Sequence, residues 1–239
     1  MKGLIIALQF LTRLPGPRIA VSSGEFAASI RWFPAVGLIV GAIVAGGIRA
    51  GSIIDPWTGA IIGLALWIAV TGALHLDGLS DIADAAGAAH KGRERLLAVL
   101  ADPHVGSFAV VTIGLQLLAK LVLLHGLAEA NLLTAILLVP FAARIGPLVW
   151  TRALPSLHDG LGARFRASVR TRDLAVWSAA LLAAAWLLPA LLLVPALIWL
   201  WALWLRSRIG GISGDGHGAG IELVETGLLL AVLIAARIA

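Results

Sequence analysis

The feature that most constrains this chain is a succession of apolar runs, each near the length of a bilayer crossing, with almost all positive charge gathered in alternate segments between them. A spanning helix needs about 20 apolar residues. The sequence predicts such helices at 32–48, 58–76, 108–125, 132–150, 174–188, 192–205 and 222–238. Pro189 and Pro195 supply the turn between the fifth and the sixth. Composition agrees: 60% of residues are hydrophobic and 13% charged, where soluble domains carry about 25% charge. An ordinary soluble domain and a disordered chain are both excluded, because the apolar surplus has to face lipid. The expected fold is all-α, a polytopic membrane bundle of about seven helices forming one domain over 1–239.

Charge sets the orientation. With seven spans, the segments 1–31, 77–107, 151–173 and 206–221 fall on one side. They hold Lys2, Arg13, Arg18, Arg31, Lys91, Arg93, Arg95, Arg152, Arg164, Arg166, Arg170, Arg172, Arg206 and Arg208, 14 of the 18 Lys and Arg. The other side holds Arg49 and the tail residue Arg237. Positive charge favours the cytoplasm, so the N-terminus and the long loops are expected there. A single kinked helix over 174–205 would put Arg206 and Arg208 outside, against that rule. The run Gly3 to Leu11 after Lys2 is short for a signal peptide and lacks an A-x-A-like site; it reads as an interfacial helix on the cytoplasmic leaflet. The net charge of +5 reports loops at an anionic leaflet, or an anionic substrate, and no nucleic-acid partner is expected. No internal repeat of the transporter kind is visible.

Several polar groups need an explanation in such a chain. Asp77, Asp81 and Asp84 stand at i, i+4 and i+7, which places three carboxylates on one helix face. They repel one another, and hard oxygen ligands so clustered suit Mg²⁺ shared with substrate phosphates. The stretch Asp102-Pro103-His104-Val105-Gly106-Ser107 reads as a turn before a new span, with Ser107 as its N-cap. Asp102 adds a candidate ligand there, and His104 a group for phosphate contact or proton transfer. From Gly210 to Gly220, six of eleven residues are glycine. That pattern predicts a loop whose N–H groups approach a phosphate, with a helix following and Asp215 as a further ligand. Gly106, Ser107, Gly211, Ser213 and Gly214 are the candidate substrate contacts of the two stretches. Glu222 and Glu225 enter the last span, while Lys120 and Arg144 lie inside others. Each cation either pairs with an inward Glu or holds a substrate phosphate. Arg13, Arg31 and Arg144 are the candidate phosphate-neutralising residues. Trp186, Trp199, Trp201 and Trp204 read as belt or packing residues. There is no cysteine and no tyrosine, so neither a thiolate nor a phenol takes part. Carboxylates, glycines and arginines at one membrane face amount to the equipment of a Mg²⁺-dependent phosphotransferase.

The order of the motifs goes further. Phe10-Leu11-Thr12-Arg13-Leu14-Pro15-Gly16-Pro17, Phe33-Pro34-Ala35-Val36-Gly37, His75-Leu76-Asp77-Gly78-Leu79-Ser80-Asp81-Ile82-Ala83-Asp84, Asp102 to Phe108, and Gly210 to Glu222 resemble, in sequence and in order, the cobalamin synthase family, adenosylcobinamide-GDP ribazoletransferase. Pro103-His104 stands where that family has Ser-Arg, Ser213 where it has Thr, and His217 where an apolar residue is usual. The resemblance implies a Mg²⁺-dependent, multi-pass enzyme of the bacterial inner membrane with its active site facing the cytoplasm. It implies the joining of adenosylcobinamide-GDP to α-ribazole or its 5′-phosphate, with release of GMP. On that reading Asp77, Asp81 and Asp84 hold the metal, and Asp81, Asp102, Asp215 and His104 form the catalytic set. A homo-oligomer is compatible with the sequence. The alternatives are an enzyme of the CDP-alcohol phosphotransferase type, whose aspartate signature has a different order and an Ala-Arg step absent here, and a membrane transporter.

Overall fold

A computed structural model describes residues 2–157 and 161–238, with the side chains of 91 and 161–164 outside the description. Arg164, one of the basic residues singled out above, is therefore placed by its backbone alone. The described residues form helices α1 (Lys2–Leu11), α2 (Ser23–Ala28), α3 (Phe33–Gly51), α4 (Pro56–Thr71), α5 (Leu74–Ala88), α6 (Arg93–Leu100), α7 (Ser107–Glu129), α8 (Leu133–Ala143), α9 (Gly146–Ala153), α10 (Leu161–Ser168), α11 (Thr171–Leu187), α12 (Val194–Arg208) and α13 (Gly214–Ile238). No strand occurs among them; Ser156 and Ile212 make one isolated parallel bridge. The all-α bundle expected from the sequence is what the chain forms.

Among the described residues, five helical segments are long and apolar enough to cross a membrane: 23–51, 107–129, 133–153, 189–208 and 214–238. The pair α4 and α5 makes a sixth if counted as one broken span. The remaining expected span, 174–188, is α11, with 17 residues and a turn at Pro189–Leu193 leading into α12. On α7 the residues Val111, Leu115, Leu118 and Val122 are exposed, while Gln116, Lys120, Leu123 and Leu127 are buried. Helical periodicity thus gives α7 one apolar face suited to lipid and one face turned into the bundle.

The expected helix 58–76 does not run through. Asp55 caps α4, its carboxylate accepting from the N–H groups of Trp57 and Thr58, and Pro56 starts it. The helix ends at Gly72 and Ala73, both left-handed, with φ of 61° and 59°. The following α5 departs at 84°. Two consecutive left-handed residues reverse the local hand of the backbone, and hydropathy alone carries no signal for that. The Arg13 backbone N–H donates to the Val70 carbonyl freed at the break, at 2.7 Å. Its side chain lies across Gly72, where a Cβ would meet it.

The largest helix contacts are backbone-close. Gly37 and Gly41 of α3, four residues apart, face the backbone of α8 at Pro140, Phe141 and Leu137. Small residues at this spacing let two membrane helices approach for dispersion contact, which replaces the hydrophobic drive that lipid cannot supply. A side chain at 41 would enter the Leu137 carbonyl, and no rotamer relieves a backbone clash. Gly41→Leu is therefore expected to destabilise the bundle by about 3 kcal/mol, read as a lowered thermal transition in detergent micelles.

Candidate active site

The site is built where α5 crosses the start of α13. A Cβ on Gly78 would lie 2.7 Å from the Asp215 carbonyl oxygen, and one on Gly218 3.2 Å from the His75 Cα. Each glycine removes the side chain that would hold the two backbones apart. The glycine run was expected to be a loop; instead α13 begins at Gly214, and Gly216, Gly218 and Gly220 are buried helix residues. Their cost in backbone entropy is offset by close packing against Leu205, His75, Trp150 and Trp201. Only the short segment before Gly214 is a loop. It is pinned to 155–157, with Ile212 N–H donating to the Pro155 carbonyl at 2.9 Å and Leu157 N–H to the Ile212 carbonyl at 3.1 Å. Gly211 packs against Pro155 there, and Gly210 adopts φ of 91°. The Ser213 hydroxyl accepts from the Gly216 N–H at 3.1 Å and donates to Asp215 Oδ2 at 3.3 Å, so Ser213 caps α13.

The crossing brings Asp215 to the acidic face of α5. Asp81 is half-buried between them, and of the surrounding charges Asp215 acts on it most strongly, then Asp77, then Asp84. Four carboxylates from two helices thus share one region, at one end of the bundle. All the donors are hard oxygens, the set that Mg²⁺ prefers. Among the described residues no three acidic or histidine side chains converge on one metal-sized point. Such an open arrangement fits an ion that keeps waters and shares its shell with phosphates better than it fits a closed protein cage.

Asp84 has a second duty. Its Oδ2 accepts from the Gly106 N–H at 2.6 Å and its Oδ1 from the Ala109 N–H at 3.0 Å. Ser107 was expected to cap α7; the N-cap position is Gly106, without a side-chain bond of its own, and the carboxylate arrives from α5. Asp84→Ala is expected to cost about 1–2 kcal/mol and to speed hydrogen exchange at the Gly106 and Ala109 amides.

Asp102 and His104 form a local turn. Asp102 Oδ1 accepts from the His104 N–H at 3.1 Å and contacts its ring Nδ1 at 2.6 Å. These bonds hold the Asp102 carboxyl below its ordinary range. The pair meets the acidic face of α5 at its Asp84 end. It lines a cleft of about 350 Å³ with Asp84, His90, Arg95 and Ser107. In the sequence Arg93 and Arg95 bear only on orientation. Yet Arg95 lines this cleft and Arg93 reaches to Gly210. Their position two apart in a basic segment carried no sign of this, because α6 is folded back by contacts with α5.

Arg13, Arg31 and Arg144 are not gathered at the carboxylates. Arg13 is exposed at the break before α5. Arg31 donates to the Ser168 carbonyl at 3.5 Å, and its own carbonyl accepts from the Trp177 indole at 2.7 Å. Arg144 is 0% exposed. Of its two expected roles it takes the first, pairing with an inward Glu: Nη1 lies 2.8 Å from Glu225 Oε1. Lys120 Nζ lies 2.7 Å from both Glu222 Oε2 and Glu225 Oε2, above the Trp67 ring at 4.2 Å. Gln116 Nε2 donates to Glu222 Oε2 at 2.8 Å. Two cations meet two anions, and Arg144 Nη2 reaches His75 Nδ1 at 3.4 Å. This network fastens α7, α13 and the end of α8 to α5, and so fixes the crossing that carries the aspartates. Trp201 and Trp204 stack at 4.9 Å, while Trp186 and Trp199 face outward.

Comparison with known proteins bears on the same residues. Residues 3–233 match the family described as cobalamin-5-phosphate synthase. The chain belongs to that family. A curated relative from Novosphingobium aromaticivorans, named adenosylcobinamide-GDP ribazoletransferase, is 64% identical over 98% of this chain and 97% of its own. Relatives of the same name from Laribacter hongkongensis and Thiobacillus denitrificans are 51% identical over 100% and 99%, and 47% identical over 96% and 94%. No solved structure is significantly matched. The cobalamin-5-phosphate synthase family is one of transferases in cobalamin biosynthesis, and this member is an enzyme with helices of membrane-crossing length. The match assigns the chain here rather than to the CDP-alcohol phosphotransferases or to transporters.

Proposed function

We propose that the chain joins adenosylcobinamide-GDP to α-ribazole or its 5′-phosphate and releases GMP. The observation that carries this reading is the assembly of Asp77, Asp81, Asp84 and Asp215 at the α5–α13 crossing, within a chain matched almost end to end by relatives of that name. A ribose hydroxyl of the ribazole half attacks the phosphorus bonded to the cobinamide side. A new P–O bond forms, the P–O bond to GMP breaks, and the hydroxyl proton passes to a carboxylate, which we assign as Asp215. Asp77 and Asp81 are the groups that would hold Mg²⁺, with water and the substrate phosphates completing its shell. Such an ion, when bound, would supply positive charge to the phosphates and to the departing GMP. Asp84 holds the α7 start in place, and Arg95, His104 and Ser107 offer charge and donors to the GDP end in their shared cleft. The concentration of Lys and Arg in the segments at this end supports a multi-pass protein of the bacterial inner membrane with the site toward the cytoplasm.

Purified protein in detergent is expected to release GMP only when both substrates are supplied, in equal amount with the joined corrinoid. A folded preparation that forms neither would overturn the reading.

A further inference from the structure

A cavity of about 230 Å³ opens beside Asp77 and Asp215. Phe10, Phe33 and Phe165 contribute three rings to its wall, from α1, α3 and α10. They belong to one aromatic cluster, with Phe10–Phe33 centroids 5.9 Å apart and Phe33–Phe165 6.0 Å apart. Two histidines line the same cavity, both more than nine-tenths buried: His75 at 2% and His217 at 7% exposure. Each has one ring nitrogen with no hydrogen-bond partner, Nε2 of His75 and Nδ1 of His217. A buried polar atom left unpaired costs about 1–3 kcal/mol, and such atoms are rare in folded proteins without a reason. The other nitrogens are engaged. His75 Nδ1 faces Arg144 Nη2, and a guanidinium only donates. Nδ1 is therefore the acceptor and the ring proton sits on Nε2. His217 Nε2 is 3.2 Å from the Thr151 hydroxyl, with its ring over Trp150 at 6.1 Å.

We propose that this cavity binds the heteroaromatic base of the acceptor nucleoside, an inference that rests on the transfer reading above. Aromatic walls suit a flat bicyclic ring. A benzimidazole joined to its sugar has one remaining in-plane nitrogen, an acceptor, and His75 Nε2–H is an unused donor. Guanine carries several donors and acceptors along its edge, and two ring nitrogens do not satisfy them; the unmatched atoms weigh against it. With the base here, the sugar comes to lie at Asp77 and Asp215, where the hydroxyl has to react. The two halves of the reaction then enter from opposite ends of the acidic face of α5: the acceptor base at Asp77, the guanylyl end in the cleft at Asp84.

Two variants test this. His75→Phe keeps a flat ring in the cavity wall and removes the unpartnered Nε2–H donor offered to the base. Gly214→Leu adds bulk to the cavity lining at a position where a Cβ meets nothing within 4 Å, so it is compatible with folding. Each is expected to raise KM for α-ribazole 5′-phosphate about tenfold, with KM for adenosylcobinamide-GDP unchanged. Equilibrium dialysis of α-ribazole with the protein alone should show the same loss of affinity, and GMP should not displace it. GMP release with unaltered α-ribazole affinity in both variants, or displacement of α-ribazole by GMP, would overturn the cavity assignment and leave the transfer standing. Selective loss of α-ribazole affinity in a protein that never releases GMP would support the cavity and overturn the transfer.

Discussion

Asp81→Asn is expected to lower GMP release at least about 10²–10³-fold, the loss typical when a preorganised electrostatic group is removed from a reacting centre, while the protein folds and inserts normally. Asp81 sits among three like charges. A neutral amide of the same shape relieves that repulsion, so thermal stability without metal should stay the same or rise. Loss of activity with retained stability is the signature of a residue kept for chemistry against the interest of the fold. Parallel scans of turnover and thermal unfolding in micelles check both halves. An Asn variant with full turnover would remove Asp81 from the reaction. One that simply fails to fold would show that the carboxylate is structural.

Glu225→Ala is expected to cost about 3–5 kcal/mol, the usual penalty for stranding a buried charge. The Glu225 side chain is 0% exposed and holds Lys120 with one oxygen and Arg144 with the other. Its removal leaves Arg144 with the Pro140 carbonyl and the His75 ring as its remaining contacts. Glu222→Ala should cost less, because Lys120 then keeps Glu225 at 2.7 Å. The ordering, Glu225 well above Glu222, is checked by unfolding each variant in detergent. A Glu225→Ala protein within about 1 kcal/mol of the wild type would mean that water enters and solvates the cations. Turnover should fall with stability here, since the network fastens α5 to α13.

Much of this was readable from the residues. The apolar runs and charge asymmetry led to a helical membrane bundle, and the i, i+4, i+7 spacing put the three aspartates on one helix, as α5 shows. The cost of charge in a span gave Lys120 and Arg144 two candidate roles, an inward Glu or a substrate phosphate, and the fold selects the first. Three features were not readable in this way, two of them because they depend on residues far apart in the chain. The run 58–76 is apolar enough for one span by hydropathy, which does not weigh Gly72 as a helix stop or show the second left-handed residue at Ala73. The glycine run has the composition of a loop, and only the approach of α5 at His75 and Gly78 makes it helix. The cap of α7 crosses 22 residues from Asp84 to Gly106, leaving Ser107 as the plausible but unused local choice. Asp215 was legible as a candidate partner of the α5 aspartates; the helical crossing that places it there, and the pairing of Arg144 with Glu225 instead of a phosphate, required the fold.

We propose that carboxylates at the α5–α13 crossing hold Mg²⁺ for phosphoryl transfer. The most direct test follows GMP release by the purified protein, with both substrates present, as Mg²⁺ is removed by EDTA and then restored. Release is expected to cease with the metal and to return with it. Undiminished release in EDTA would contradict it.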